Sequence, residues 1–141
     1  MATGDGNTEL VRRLCGGLMA EGDTAVADEV LAEDYLDHDI PGVGAGGRQE
    51  LVAAVLAVRA AFPDIAPTLG PFLAETDLVA VRVEAHGTHT GAPFPPGIPA
   101  TGKSITWKEV HIFRCAGGRI AEHWGVFDML GILQQLGAIP A

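Results

Sequence analysis

Glu109, His111 and Glu122, with Asp128 just beyond them, are the residues whose types and spacing could carry acid–base chemistry. They lie in two β-rich runs, Ile105 to Arg114 and Arg119 to Trp124, joined by Cys115-Ala116-Gly117-Gly118. A short Gly-Gly connection between such runs predicts an antiparallel hairpin. Successive side chains of a strand point to opposite faces. One face of the first strand should therefore carry Ile105, Trp107, Glu109, His111 and Phe113, and one face of the second Ile120, Glu122 and Trp124. Each set mixes large apolar groups with ionisable ones, the pattern of an apolar pocket holding a few convergent polar groups. A carboxylate desolvated among aromatic rings becomes a better base near neutral pH. A histidine beside it can donate to a developing oxyanion or relay a proton. The chemistry these residue types suit is removal of a proton next to a carbonyl, with the oxygen charge stabilised. The competing reading is an ordinary sheet, with Glu122 in a salt bridge to Arg114 or Arg119 and His111 hydrogen-bonded within the strands.

The walls of such a pocket are assigned from the same parity. Trp107 and Trp124 can stack on a flat aromatic substrate, and Phe113, Phe62 and Glu109 complete the lining. Asp37 and His38 point to opposite faces, so only one can enter. His38 is assigned to the pocket, because Tyr35 and Asp37 fit the wet side. His89 borders a proline-rich loop and either caps that turn or stands at the pocket mouth. His86 and His123 fall on the opposite parity and read as solvent or interface groups. No His-x-His or His-x-x-x-His spacing occurs, so no metal is expected. Ser104 is the only serine, and no strand-turn-helix elbow surrounds it, which argues against a serine nucleophile.

Positioning these groups falls to the rest of the chain. Leu10, Val11, Leu14 and Leu18 recur at helical spacing behind Asn7 or Thr8, and Asp23 can cap a second helix to about Leu31. Pro41 to Gly47 is a Gly-rich connection without a phosphate-loop pattern. A third helix is predicted from about Arg48 to Phe62, ended by Pro63. The period then changes to two. Pro67 to Leu73 reads as a strand weakened by Gly70 and Pro71, as at a bend or an edge. In Leu78 to His89, Val79, Val81, Val83 and Ala85 face the core. The Pro-rich segment between Gly91 and Gly102 presents Phe94 and Ile98 as a lid or a dimer contact, and a last helical turn or two follows from Asp128. Helices first and a sheet afterwards make an α+β domain, a curved antiparallel sheet packed on N-terminal helices.

Composition narrows the function. The 141 residues, nearly half of them hydrophobic, form a single domain, with residues 1–6 expected to be disordered. A net charge of −9 excludes a nucleic-acid or anionic-membrane surface. No signal peptide or membrane-spanning run is read, and Cys15 and Cys115 read as free thiols of a reducing, cytoplasmic protein.

Several separated motifs resemble one family. Gly87-Thr88-His89-Thr90-Gly91, Ile98-Pro99-Ala100-Thr101-Gly102-Lys103, Trp107, His111-Ile112-Phe113-Arg114 and Gly118-Arg119-Ile120-Ala121-Glu122-His123-Trp124 are similar to runs of the SnoaL-like polyketide cyclases. Tyr35 to Asp39 and Ala61-Phe62-Pro63-Asp64 resemble that family's early segments, so the likeness covers about Asn7 to Gly137. The resemblance implies a nuclear transport factor 2-like cone, often homodimeric. It also implies an ester cyclase of lyase or isomerase type in antibiotic biosynthesis. Such an enzyme closes a polyketide ring by intramolecular aldol condensation without metal or cofactor, using a carboxylate and a nearby histidine. Glu122, His111 and Asp128 are the residues expected to share that work. One departure stands out: many relatives carry an Asp directly after the Glu-His-Trp motif, and this chain has Gly125 there. Glu122, Asp128 or Glu109 would then have to substitute. Other readings on this fold are a non-catalytic small-molecule binding protein and an isomerase, epoxide hydrolase or hydroxylase, since fold alone does not choose a reaction.

Overall fold

The computed structural model describes residues 4–141. Helix α1 (Gly4–Leu14) runs into a π-helical stretch, Cys15–Ala20, and α2 (Thr24–Val30) follows. Then come β1 (Leu31–Ile40), β2 (Gly44–Gly46), α3 (Arg48–Ala61), β3 (Ala66–Glu75), β4 (Leu78–Thr88), β5 (Ser104–Ala116), β6 (Arg119–Phe127) and α4 (Met129–Leu136). Of the stretch expected to lack structure, residues 4–6 form the first turn of α1, and residues 1–3 lie outside the described residues.

Local chemistry explains the boundaries. The Asp23 side chain accepts the Ala25 N–H and caps α2. Pro63 stops α3 one turn after Arg59. Asp128 caps α4 through the Gly131 N–H, and Gly137, at φ 76°, closes its far end in the left-handed conformation. No helix among the described residues is long and apolar enough to cross a membrane.

The strands form one six-stranded, curved and unclosed sheet in the order β2-β1-β6-β5-β4-β3. It is not wholly antiparallel, as the sequence suggested: β1 runs parallel to β6. A parallel pair needs a long connection, and everything between the two strands supplies it. β3 is an edge strand, and its register slips between Leu69 and Phe72, across Gly70 and Pro71. The register of β4 on β5 is unbroken from Leu78 opposite Arg114 to Thr88 opposite Ser104. Val79, Val81, Val83 and Ala85 all face inward, as their alternation predicts. Helices α1 and α2 cover that inner face, where Val11, Leu14, Leu18 and Val30 pack on the β4 valines. A second cluster joins Phe62, Ile105, Trp107, Ile132 and Leu136. Full burial of each such side chain contributes about 2 kcal/mol over leaving it exposed.

The β5–β6 hairpin turns at Gly117 and Gly118, whose φ values of 60° and 75° suit residues without a Cβ. Its register slips once. Cys115 opposes Ile120, but Arg114 opposes Glu122, so Ala121 is left without a partner. One extra residue in one strand is a bulge, and it reverses which face every later side chain takes.

Candidate active site

A cavity lies between the inner face of the sheet, the π-helical stretch and α3. Leu14, Leu18, Leu51, Val55, Val58 and Phe113 make most of its wall apolar. The half-buried α3 side chains line this space while packing on the core, Leu51 and Val55 on the first cluster and Val58 on the second. The polar groups that line it are concentrated on β1, β5 and β6: Tyr35, Asp37 and Asp39 from β1, Glu109 and His111 from β5, and His123 from β6.

These side chains form one line of contacts. Trp107 Nε1–H donates to Glu109 Oε1 at 2.8 Å, and Glu109 Oε2 lies 2.7 Å from His111 Nε2. His111 Nδ1 meets His123 Nε2 at 2.8 Å. His123 Nδ1 stands 2.9 Å from Asp37 Oδ1, close enough for an ion pair although off the line of a good hydrogen bond. The Tyr35 hydroxyl donates to Asp37 Oδ2 at 2.7 Å, and the Asp39 N–H to Asp37 Oδ1 at 2.9 Å. Asp37 is fully buried, and Glu109, His111 and His123 are at most 7% exposed. Buried charges persist only where such partners compensate the lost water.

The surroundings set the proton affinities. Burial pushes the Asp37 carboxyl up, but His123, the Tyr35 hydroxyl and the Asp39 N–H together outweigh it and hold it below the ordinary 3.8. Burial, and then the Asp37 charge, push Tyr35 far above its ordinary value, so it stays a donor. Burial and the nearby Glu109 raise the Cys15 thiol to about 12, which makes it a neutral wall group and no nucleophile. Arg59 also lines the cavity, but its Nη1 donates to the Met19 and Ala20 carbonyls at 2.7 Å each. Among the described residues, no group of three or more His, Cys, Asp or Glu side chains could hold a metal ion.

The structure brings His111, Glu109, Trp107 and Phe113 together on the cavity wall. It places the other expected residues elsewhere. Beyond the Ala121 bulge Glu122 and Trp124 turn to the outer face, and His38 on β1 meets them there. His38 stacks on Trp124 with ring centres 5.1 Å apart. Glu122 accepts from His38 Nε2 at 2.6 Å and from Arg114 Nε at 2.9 Å, and these bonds, His38 first, hold its carboxyl below the usual range. Asp128 is exposed at the start of α4. Phe62 is packed behind the wall against Trp107 and His89. His89, fully buried, fastens the Pro-rich loop. Its N–H donates to the Lys103 carbonyl, its carbonyl accepts from the Gly102 N–H, its Nδ1 accepts from the Thr101 N–H, and its Nε2 contacts the Ala92 carbonyl. The assignment of His123 to the solvent side is corrected by the same bulge. That of Asp37 to the wet side is corrected by its contact with His123. Its parity with Tyr35 and Leu31, both large and buried, was the available signal.

The model of the SnoaL-like polyketide cyclase family matches residues 9–136. The aklanonic acid methyl ester cyclase DnrD of Streptomyces peucetius is 28% identical, over 92% of this chain and 89% of its own. Among solved structures, TsrD from Streptomyces laurentii superposes with a TM-score of 0.86 at 27% identity, covering 99% of this chain and 100% of its own. IdmH from Streptomyces antibioticus does so with a TM-score of 0.79 at 29% identity, over 93% and 98%. With the family's pattern extending through nearly every element that builds the cavity, this chain belongs to the SnoaL-like polyketide cyclases.

Proposed function

We propose that this protein closes a ring by intramolecular aldol condensation on a neutral, esterified aromatic polyketide, with no cofactor. The observation that carries the reading is His111, backed by the buried Glu109, at the wall of an apolar cavity. The imidazole side of the contact line removes a proton from a carbon beside one ketone. The enolate attacks a second carbonyl, and the new alkoxide takes a proton back from the imidazole, so no net proton is gained or lost. Carboxylate neighbours stabilise the imidazolium formed in between. Glu122 and Asp128, first candidates on sequence grounds, do not line the cavity, so the acid–base work is assigned to His111 with Glu109, and to His123 with Asp37.

Charge supports an ester rather than a free acid. The cavity holds three carboxylates, and the one guanidinium at its wall, Arg59, has its Nη1 on the Met19 and Ala20 carbonyls. Among the described residues, a substrate carboxylate would meet more carboxylates than permanent cations in that lining. The relative DnrD is named for a methyl ester, in keeping with this. The apolar outer face of the sheet supports a homodimer: Val110, Ile112 and Val126 are exposed around Trp124.

The test is incubation of the purified protein with an aromatic polyketide methyl ester bearing two ketones placed for ring closure. The expected product is the cyclic β-hydroxy ketone of the addition step, of unchanged mass because no water is expelled, and His111→Asn should lower kcat by at least about a hundredfold while binding persists. Binding without turnover in the unmodified protein would make it a carrier instead.

A further inference from the structure

The line Glu109–His111–His123–Asp37 contains three contacts between four titratable groups, at 2.7, 2.8 and 2.9 Å. The first two have hydrogen-bond geometry and need one hydrogen each between their heavy atoms. The third is an off-line ion-pair contact, where a bare His123 Nδ1 lone pair would stand against the Asp37 carboxylate. The carboxylates are supplied from outside by donors alone, the Trp107 N–H on one and the Tyr35 O–H and Asp39 N–H on the other. Two neutral imidazoles carry two N–H hydrogens between them. If both face the carboxylates, His111 Nδ1 and His123 Nε2 meet lone pair to lone pair at 2.8 Å. If one sits between the rings, a carboxylate faces a bare nitrogen lone pair. Three hydrogens satisfy all three contacts, and two do not.

Gly125 makes the middle contact possible. It lies opposite His111 in the strand register, on the inner face. A Cβ there would stand 2.7 Å from His111 Nδ1 and 2.9 Å from His123 Cε1 and Nε2, inside van der Waals contact with both rings. Neither ring can swing aside freely, since Glu109 and Asp37 hold their outer nitrogens. The other ionisable or charged groups bordering this space are Tyr35, Asp39, Cys15 and Arg59. Arg59 is bound to carbonyls, and Asp39 Oδ2 accepts the Gly125 N–H at 3.0 Å.

We infer that His111 and His123 form a single acid–base unit that shares three hydrogens between two carboxylates, and that Gly125 is the positioning residue that lets the rings touch. The two-hydrogen form of the unit is the base and the three-hydrogen form the acid, so the proton taken from a substrate carbon becomes the third hydrogen and returns to the alkoxide. The unit's use in turnover rests on the cyclase reading above. The shared hydrogen does not.

The experiment is proton–nitrogen NMR of the full chain carrying 15N-histidine, across the pH range in which it stays folded. Three N–H signals are expected on the rings of His111 and His123, the inner one far downfield. Gly125→Ala should abolish the inner signal and keep the two outer ones. His123→Asn, which leaves Gly125 in place, should also remove it and serves if the alanine variant does not fold. Two N–H signals at every pH in the unmodified protein, or an inner signal that survives Gly125→Ala, overturns the inference. Three signals without cyclisation of any ester would support the shared hydrogen and count against the cyclase alone.

Discussion

Glu109 and Glu122 are the same side chain in opposite surroundings. Glu109 is buried, with one oxygen on the Trp107 indole and the other on His111. Glu122 is half-buried on the outer face, tied to His38 and Arg114. Replacing each by Gln preserves shape and removes the charge, so the pair separates catalysis from architecture. Steady-state kinetics should show Glu109→Gln losing at least about a hundredfold in kcat and Glu122→Gln keeping nearly all of it. Asp37 makes a different prediction. Its carboxyl is held below its ordinary value in the folded state, so it adds stability at pH above the ordinary carboxylate range. That stability is lost as pH falls through the folded value, below about pH 4. Urea unfolding across pH should show this acid loss shrinking in Asp37→Asn. At neutral pH that variant should be less stable by about 3 kcal/mol, because His123 is left without its partner.

The β6 bulge decides which of its residues meet the cavity. Deleting Ala121 would remove the unpaired residue and put Glu122 directly after Ile120, so Glu122 and Trp124 would stay outward and His123 inward. Such a variant should keep the His111–His123 contact, visible as unchanged histidine NMR signals of the cavity. This single residue also explains what could be read from the sequence. β5 pairs with β4 without a slip, so its alternation correctly placed Trp107, Glu109, His111 and Phe113 together. The third helix and the inward valines of β4 were legible for the same reason, as their periods are uninterrupted, while the π-helical stretch after Leu14 was not. His123 was not legible, because a bulge leaves no mark in residue type, whereas Asp37 shared the parity of buried Leu31 and Tyr35 and was misplaced on its charge. The parallel pairing of β1 with β6 was hidden too, since strand partners so distant in the chain are chosen by packing, not by local pattern.

The outer face of the sheet and the charge of the whole chain act on what the molecule meets. Val126 is 68% exposed opposite Val110 and one same-face pair along from Ile112, an apolar patch that a second copy would cover. Sedimentation should find a dimer, and Val126→Asp should shift it towards monomer without altering the histidine signals of the cavity. The net charge of −9, together with the cavity carboxylates, sets a preference among substrates. The free acid of an accepted methyl ester should show a KM raised by about tenfold or more, the equivalent of about 1.4 kcal/mol of unfavourable charge. The proline-rich loop carries a last consequence. Its neck is fastened through His89, while its tip, from Phe94 to Ile98, bonds to itself through Phe94 N–H to the Ile98 carbonyl and Ile98 N–H to the Pro95 carbonyl. Only the ring of Phe94 reaches from this tip to the cavity. Beyond Phe94, whose ring packs edge-on against Phe62, changes in the tip should therefore leave the neck between β4 and β5 in place.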